Sequence, residues 1–180
     1  MRIVAGEYRG RTLKSPAWDG LRPTSDRLRE TLFNILAPSV AGARVLDGYA
    51  GTGAIGIEAL SRGASHVTFV EQDPRAAKLI EQNLAMIDPA RARDRAIIRA
   101  CFADAAARLA GASFDLIIVD PPYAHDAAEQ ALTAAAALAG PSTRVVVEHA
   151  ARYEAPGEVA GLRRRRTVTA GDSALSFYEL

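Results

Sequence analysis

Two prolines and an aromatic residue follow directly after an apolar strand that ends in an acid. The stretch IIVDPPYAHD, residues 117–126, contains Asp120, Pro121, Pro122 and Tyr123 in that order. Proline donates no backbone hydrogen bond and does not continue a central strand, so the strand must end here and lead into a stiff loop. The loop therefore holds a carboxylate and an aromatic ring in a fixed relation.

This arrangement fits the chemistry of an exocyclic amine. The Asp120 carboxylate and the Pro121 carbonyl are acceptors that can receive both amine protons, which would direct the nitrogen lone pair toward a methyl donor. Tyr123 offers a face on which a base can stack, and a base inside a duplex must be flipped out to reach such a pocket. A plain strand-ending turn with a packed tyrosine is the competing interpretation.

A glycine-rich loop follows an earlier candidate strand. The stretch VLDGYAGTGAIGIEAL begins at Val45 and contains Gly51, Gly53 and Gly56 in a G-x-G-x-x-G pattern between a strand and a helix. Glycines permit tight turning and close backbone approach to a ligand. Glu71 ends the next candidate strand, where a carboxylate can hold both ribose hydroxyls. Together these features favour a cofactor site over a simple β–α turn.

Two aspartates bear on which cofactor this is, a dinucleotide or S-adenosylmethionine. Asp47 ends the strand before the glycine turn, where its charge would oppose a pyrophosphate but attract the amino and sulfonium groups of S-adenosylmethionine; a turn-capping role is the alternative. Asp104 follows the third candidate strand. It could accept a hydrogen bond from the adenine amine, cap the next helix, or do both.

The elements that must position these residues alternate between short apolar strands and helices from residue 43 onward. Such alternation predicts an α/β domain with a mostly parallel sheet, whose strands are buried on both faces. The C-terminal stretch RRRRTVTA-GDS-ALSFYEL predicts an antiparallel hairpin. The predicted strands are 43–47, 66–71, 96–101, 114–120 and 144–148, and the predicted helices are 53–61, 74–86 and 127–138.

Residues 1–41 differ from the remainder and are predicted to form an N-terminal extension to a domain spanning residues 42–180. Two short strands, 2–5 and 11–14, flank a turn and predict a small hairpin. A helix follows, with Thr24 or Ser25 as its N-cap and an apolar stripe on one face.

Composition narrows the class of protein. The chain has 180 residues, 49% of them hydrophobic, and a net charge of +1. Cys101 is the only cysteine, which excludes an internal disulfide framework and a cysteine-based zinc site. The three histidines have no metal-binding spacing, and no stretch is apolar enough for a signal peptide or a membrane span. We expect a soluble cytoplasmic protein without a metal.

Basic residues are clustered at two places. Arg9 and Arg11 stand beside Tyr8 in the predicted hairpin, and Arg163–Arg166 form a run near the C-terminus. Both clusters are candidates for phosphate contacts, which give largely sequence-independent affinity for nucleic acid. A solvated surface is the alternative, and in a strand only alternate residues of the second run can face one ligand.

Taken in order, RIVAGEYRGRTLKSP, RPTSDRLRETLFNIL, AGTGAIGIEALSRGA, FVEQD and DPPY resemble the RsmD family. These are bacterial 16S rRNA guanine-N2 methyltransferases, and the resemblance covers nearly the whole chain. Gly48-Tyr49 departs from the family, which usually carries Leu-Phe there. The resemblance implies a Rossmann-like class I fold that uses S-adenosylmethionine, with a seven-stranded, mostly parallel sheet and an antiparallel C-terminal hairpin.

The resemblance also implies roles for individual residues. Asp47, Gly51 and Gly53 would line the methionine part of the cofactor, Glu71 would hold its ribose and Asp104 its adenine. Asp120, Pro121, Pro122 and Tyr123 would handle the guanine. Arg22, Pro23 and Thr24 would close over the pocket, with Arg27 and Glu30 supporting that segment or simply pairing on a solvated helix.

The implied partner is 16S rRNA within a 30S subunit or an assembly intermediate, with a monomeric enzyme and the guanine at position 966 as target. A methyltransferase acting on adenine N6 or another exocyclic amine is the first alternative. An NAD-dependent oxidoreductase fits the glycine spacing but leaves the Asp-Pro-Pro-Tyr turn unexplained. A non-catalytic RNA-binding assembly factor explains the basic clusters but not the cofactor residues. Cytosine-C5 methylation is disfavoured, because it needs a cysteine nucleophile and Cys101 is expected near the adenine.

Overall fold

A single twisted sheet organises the protein. The computed structural model describes residues 1–18, 24–87, 94–124 and 126–180. The sheet has the order β3-β2-β1-β4-β5-β8-β7-β6. Its strands are β1 Arg44–Gly48, β2 His66–Val70, β3 Arg95–Ile98, β4 Leu116–Val119, β5 Arg144–Ala150, β6 Glu158–Val159, β7 Leu162–Ala170 and β8 Ser173–Glu179.

Strand direction divides the sheet into two parts. Strands β1 to β5 pair in parallel, whereas β8 is antiparallel to β5 and β7 is antiparallel to β8. The predicted C-terminal hairpin is therefore confirmed. The expected number of seven strands is wrong, because the two-residue strand β6 pairs with the start of β7 and adds an eighth strand at the edge. Chain order reverses between β1 and β4, where ligands bind in doubly wound sheets.

The described residues contain five α-helices, of which α1 precedes the sheet and the other four connect its parallel strands. The first, α1, begins after Ser25, whose side chain accepts a hydrogen bond from the Leu28 amide as predicted for an N-cap. The second, α2, opens directly from the glycine loop and is buried throughout. The helix bounds are α1 Asp26–Leu36, α2 Ala54–Ser61, α3 Pro74–Ile87, α4 Phe102–Arg108 and α5 Ala127–Ala136.

Two hydrophobic layers enclose the sheet. One contains α1, α2 and α3 side chains such as Phe33, Ile57 and Ile80 against Val45 and Phe69. The other packs α4 and α5 against the opposite face of the sheet. Strands β1 and β4 are buried on both faces, as their continuous apolar sequences predicted. Among the described residues, no helix is long and apolar enough to cross a membrane.

The N-terminal segment, meaning the described residues before α1, packs into the first of these layers. Ile3, Tyr8 and Leu13 are buried there. The predicted hairpin is reduced to one antiparallel bridge between Arg2 and Thr12, with further backbone hydrogen bonds around it. The proposed division at residues 1–41 and 42–180 therefore remains a prediction about chain organisation.

Three side chains of α2 and α3 hold these N-terminal residues in place. Glu58 accepts hydrogen bonds from the Val4 and Ala5 amides at 2.8 and 2.9 Å. Ser61 accepts from the Tyr8 amide and donates to the Ala5 carbonyl. Asn83 bonds both the amide and the carbonyl of Lys14 and also donates to the Thr52 carbonyl, which links the segment to the glycine loop.

Candidate functional site

A cavity of about 730 Å³ opens at the carboxyl ends of β1, β2, β4 and β5. This volume lies within the range of small-molecule sites. The N-terminal segment and the β7–β8 turn complete its wall. Its lining residues include Trp18, Thr24, Arg27, Tyr49, Gly51, Glu71, Asp73, Arg75, Asp120, Pro121, Pro122, Tyr123, Glu148 and Ser173.

The glycine loop is held by two carboxylates. Glu71 accepts a hydrogen bond from the Gly51 amide at 2.8 Å, and its other oxygen accepts from the Asp73 amide at 2.7 Å. Gly53 has a φ of 78°, which favours glycine, and it forms the N-cap position of α2. Beneath the loop, Asp47 accepts from the Gly56 amide at 2.8 Å. Hydrogen bonds within the protein therefore fix the shape of the glycine loop.

The two carboxylates differ in their access to the cavity. Glu71 lines it, and each carboxylate oxygen can accept more than one hydrogen bond, so capacity remains for ribose hydroxyls. Asp47 is only 1% exposed and does not line the cavity. Burial raises the pKa of Asp47 to about 7, against the opposing effect of the Gly56 amide, and the nearby Glu71 charge raises it further. Asp47 thus supports the loop from below.

Asp120 lies beside a second acid at the opposite wall. Val119 pairs with Val147, so Asp120 and Glu148 are the next residues on neighbouring parallel strands. Burial raises the pKa of Asp120 well above its usual range, and the Glu148 and Asp47 charges raise it further, whereas a hydrogen bond from Thr24 lowers it. Thr24 donates that bond at 3.4 Å. The acid of the Asp-Pro-Pro-Tyr stretch is therefore desolvated and surrounded by like charge.

Tyr123 presents its ring to solvent and its hydroxyl to the interior. The side chain is 45% exposed, while its hydroxyl contacts Ser173 Oγ at 2.8 Å and donates to Glu148 Oε1 at 3.2 Å. Partial burial raises its pKa. The ring is thus anchored at one end and open for stacking at the cavity mouth, which argues against a simple packed tyrosine.

The N-terminal segment forms part of the cover over the cavity. The Arg75 guanidinium lies over the Trp18 ring at 5.0 Å and pairs with Asp73 at 2.8 Å. Arg27 lines the cavity, whereas Glu30 is exposed on α1 and does not line it. Arg22 and Pro23, predicted to close over the pocket, lie outside the described residues.

Asp104 does not take the N-cap position that was expected for it, and its contact with the adenine remains a prediction. Helix α4 begins after Cys101, so the predicted N-cap at Asp104 is wrong, and Asp104 sits exposed in the first turn of the helix. It is not among the residues that line the cavity. The signal was misleading because an acid in the first helical turn is favoured by the helix dipole without any ligand.

The arginine clusters are partly committed to structural contacts. Arg11 donates to the Ile87 carbonyl at 2.5 Å near the end of α3 and lies over the Tyr8 ring at 5.4 Å, and Tyr8 is buried. Arg9 is exposed. In the second run, Arg163 pairs with Glu158, Arg165 pairs with Glu179 and Arg164 donates to the Ala155 carbonyl.

The departure at Gly48-Tyr49 has a packing explanation. A Cβ at Gly48 would lie 2.6 Å from the Phe102 ring, so Phe102 occupies the space that a larger residue would need. The Tyr49 ring contacts Phe102 with 5.4 Å between centroids and lines the cavity. Tyr49 is thus an aromatic cavity residue, backed by the buried Phe102 ring, that sequence reasoning did not identify.

Sequence reasoning also missed Trp18, Glu148 and Ser173 as cavity residues. A signal for Glu148 was present, because an acid occurs near the carboxyl end of each of the strands β1, β2, β4 and β5. Trp18 and Ser173 come from the N-terminal segment and the last hairpin. Their placement depends on how those parts fold over the sheet, for which the local sequence carries no signal.

Comparison with known proteins identifies a family model and relatives that match this chain. The family model described as Conserved hypothetical protein 95 matches residues 1–179. Ribosomal RNA small subunit methyltransferase D from Escherichia coli strain K12 is 41% identical over 134 residues, which cover 73% of this chain and 65% of that relative.

Solved structures confirm the predicted Rossmann-like class I methyltransferase fold. The Escherichia coli protein yhhF superposes with a TM-score of 0.85 at 34% identity, covering 99% of this chain and 97% of that one. The rRNA methyltransferase aviRa from Streptomyces viridochromogenes, at 18% identity, shares the fold with a TM-score of 0.72 over 91% of this chain and 88% of its own. Ribosomal RNA small subunit methyltransferase D from Haemophilus influenzae is 40% identical over 74% of this chain and 69% of its own length. With the family model spanning residues 1–179, the chain therefore belongs to the RsmD family.

Proposed function

We propose that this protein transfers a methyl group from S-adenosylmethionine to the exocyclic N2 amine of a guanine in 16S rRNA. The observation that carries the proposal is one cavity with the glycine loop and Glu71 on one wall and Asp120, Pro121 and Tyr123 on the other. A methyl donor and an acceptor base can therefore meet inside it. The name of the Escherichia coli relative supports small-subunit rRNA as the substrate.

The charge of the cavity fits a cationic cofactor better than a dinucleotide. Its acidic lining residues within the described chain are Glu71, Asp73, Asp120, Glu148 and Asp172, against the basic residues Arg27 and Arg75. Arg75 is already paired with Asp73. A pyrophosphate would meet net negative charge here, whereas amino and sulfonium groups would be attracted. This argues against an NAD-dependent oxidoreductase.

When bound, S-adenosylmethionine would supply an electrophilic methyl group for direct in-line displacement. Gly51 allows the close backbone approach that the methionine part needs, and Glu71 would accept hydrogen bonds from the ribose. The Tyr49 ring, packed on Phe102 behind it, would give an apolar face for the adenine. Asp47 would act through the loop, because it holds the Gly56 amide and lies behind the cavity wall.

The acceptor wall would position the guanine. Asp120 and the Pro121 carbonyl would receive the two protons of the N2 amine, and Tyr123 would stack on the flipped base. Reacting groups held in line gain much of their rate from this orientation alone. A non-catalytic RNA-binding factor would have no need for the cavity or for its desolvated acids.

The decisive experiment follows methyl groups into RNA. Small-subunit rRNA from cells with and without this protein should differ by one N2-methylguanosine in mass spectrometry, and purified protein should restore it in naked RNA, assembly intermediates or 30S subunits. A new N6-methyladenosine instead would favour the alternative substrate. Identical methylation in both RNAs would contradict the proposal.

Replacing Glu71 with alanine is expected to weaken cofactor binding about tenfold or more, because a hydrogen bond to a charged acceptor contributes ~1.5–3 kcal/mol. Loss of the Gly51 contact would add to this effect. Calorimetric titration with S-adenosylhomocysteine measures the affinity, and circular dichroism checks the fold. Glu129→Ala, exposed on α5, is the control and should bind normally; unchanged binding by Glu71→Ala would move the ribose contact to another acid, with Asp73 next.

Alanine substitutions of Arg9 and Arg11 should have different effects. Arg9→Ala should reduce the log–log salt slope by roughly 0.7–0.9, as expected for one lost phosphate contact. Arg11→Ala should instead lower stability, because Arg11 is engaged at the end of α3. Filter binding across salt concentrations and urea unfolding measure the two effects. An unaltered slope for Arg9→Ala would indicate that Arg9 lies on a solvated surface and does not contact RNA.

A further inference from the structure

Glu148 is a buried acid that the proposed binding of cofactor and amine does not use. It lies in β5, lines the cavity and is 6% exposed. Strand register places it beside Asp120 on the neighbouring strand. It also lines a second cavity of about 370 Å³ beyond Tyr123, so its carboxyl group stands where the two cavities meet.

This arrangement is costly for folding. Two acids lie side by side, and burial together with the Glu148 charge raises the pKa of Asp120. An acid kept beside Asp120 in a binding cavity therefore indicates a role toward a ligand.

The position of Glu148 is fixed by hydroxyl groups. Tyr123 donates to Glu148 Oε1, and the same hydroxyl contacts Ser173 Oγ. Tyr123 belongs to the loop that would stack the base, so base-stacking and carboxylate positioning share one residue. A base lying on Tyr123 would bring its edge toward Asp120 and Glu148.

The edge of guanine offers donors that match this pair of acids. Guanine presents the N1 hydrogen directly beside the two N2 hydrogens, so it requires neighbouring acceptors. Adenine presents an unprotonated N1, an acceptor that an ionised carboxylate would repel. A site built to bond a donor strongly rejects an analogue that lacks it, because a buried polar group is then left unpaired.

We propose that Glu148 accepts the N1 hydrogen of guanine while Asp120 and the Pro121 carbonyl hold its N2 amine, which makes Glu148 the residue that selects guanine over adenine. This inference rests on the proposed function and names the group that sets its base specificity. Glu148 also completes a row of acids along β1, β4 and β5. Asp47 supports the loop, Asp120 binds the amine and Glu148 selects the base.

The test compares guanine with 2-aminopurine, which keeps the amine but has an unprotonated N1 and no O6. Each base is placed at the methylated position of small-subunit rRNA, free or reconstituted into subunits. Wild-type protein should prefer guanine by about 10–100-fold in kcat/KM, the cost of one unmade bond to a charged group. Glu148→Gln should reduce that ratio several-fold, because the glutamine amide can donate to the unprotonated N1.

Glu154→Gln, an exposed substitution of the same kind, should leave the ratio unchanged. S-adenosylhomocysteine binding by Glu148→Gln should be normal, which separates base selection from general damage. An unchanged ratio in Glu148→Gln would overturn this inference while leaving guanine methylation intact, and so would equal use of both bases by the wild type. No transfer to guanine by the wild type would overturn the proposed function and this inference with it.

Discussion

Substituting Asp120 with alanine is expected to lower the single-turnover rate of methyl transfer by about 10²–10³-fold, as for loss of one preorganised polar group at a reacting centre. Binding of S-adenosylhomocysteine should be retained, because the glycine loop and Glu71 lie on the opposite wall. Rapid-quench measurement with labelled S-adenosylmethionine and saturating enzyme isolates this step from product release.

The size of the effect follows from the poor nucleophilicity of the guanine amine. Its lone pair is delocalised into the ring, so the nitrogen must become tetrahedral as it attacks. Acceptors at Asp120 and the Pro121 carbonyl favour that geometry and therefore bind the transition state more strongly than the ground state. The amine becomes acidic only as the methyl group arrives, so proton loss can follow the transfer and no covalent enzyme intermediate is needed.

Asp120→Asn distinguishes geometry from charge, since it keeps an acceptor oxygen but removes the ionisable group. Partial activity is expected for it, between those of the alanine variant and the wild type. Glu129→Gln, exposed on α5, is the control and should transfer at the normal rate. Wild-type rates in both Asp120 variants would show that this motif does not act in the transfer.

The sequence predicted the sheet and the position of its site because both depend on local patterns. Apolar strands such as Leu116–Val119 are too short and too continuous to be anything but buried strands in an alternating chain. The carboxyl ends of parallel strands share one edge, so Glu71 and Asp120 were expected to face one cavity, and both line it.

One error arose where a residue type serves two purposes. Asp104 has the sequence position of an N-cap, but Cys101 precedes the helix and Asp104 lies in its first turn. Arg11, which is predicted to contact RNA, also bonds the Ile87 carbonyl 76 residues away, a contact that the sequence did not predict. Contacts over such separations are set by packing, for which a local pattern gives no sign.

The N-terminal segment shows the same dependence on distant contacts. Glu58 lies in the stretch AGTGAIGIEALSRGA, whose sequence gave no sign of a structural role for this residue. Its carboxylate joins α2 to the first residues of the chain. It bonds the Val4 and Ala5 amides and Arg62 Nε, and it lies 3.9 Å from Arg29 NH1. The side chains of both Glu58 and Arg29 are completely buried.

Replacing Glu58 with alanine is therefore expected to lower the free energy of unfolding by about 3–5 kcal/mol, the usual cost of removing one partner from a buried ion pair. Arg29 would remain desolvated with less compensating charge, and two amides would lose their acceptors. Urea unfolding measures the loss, and limited proteolysis should show earlier cleavage near the N-terminus.

Glu81→Ala, exposed on α3, is the matched control and should change stability by less than about 0.5 kcal/mol. Because the fastened segment carries Trp18 and Thr24 to the cavity, Glu58→Ala should also weaken S-adenosylhomocysteine binding. Normal stability in this variant would mean that the hydrophobic contacts of Ile3 and Leu13 hold the segment without the ion pair.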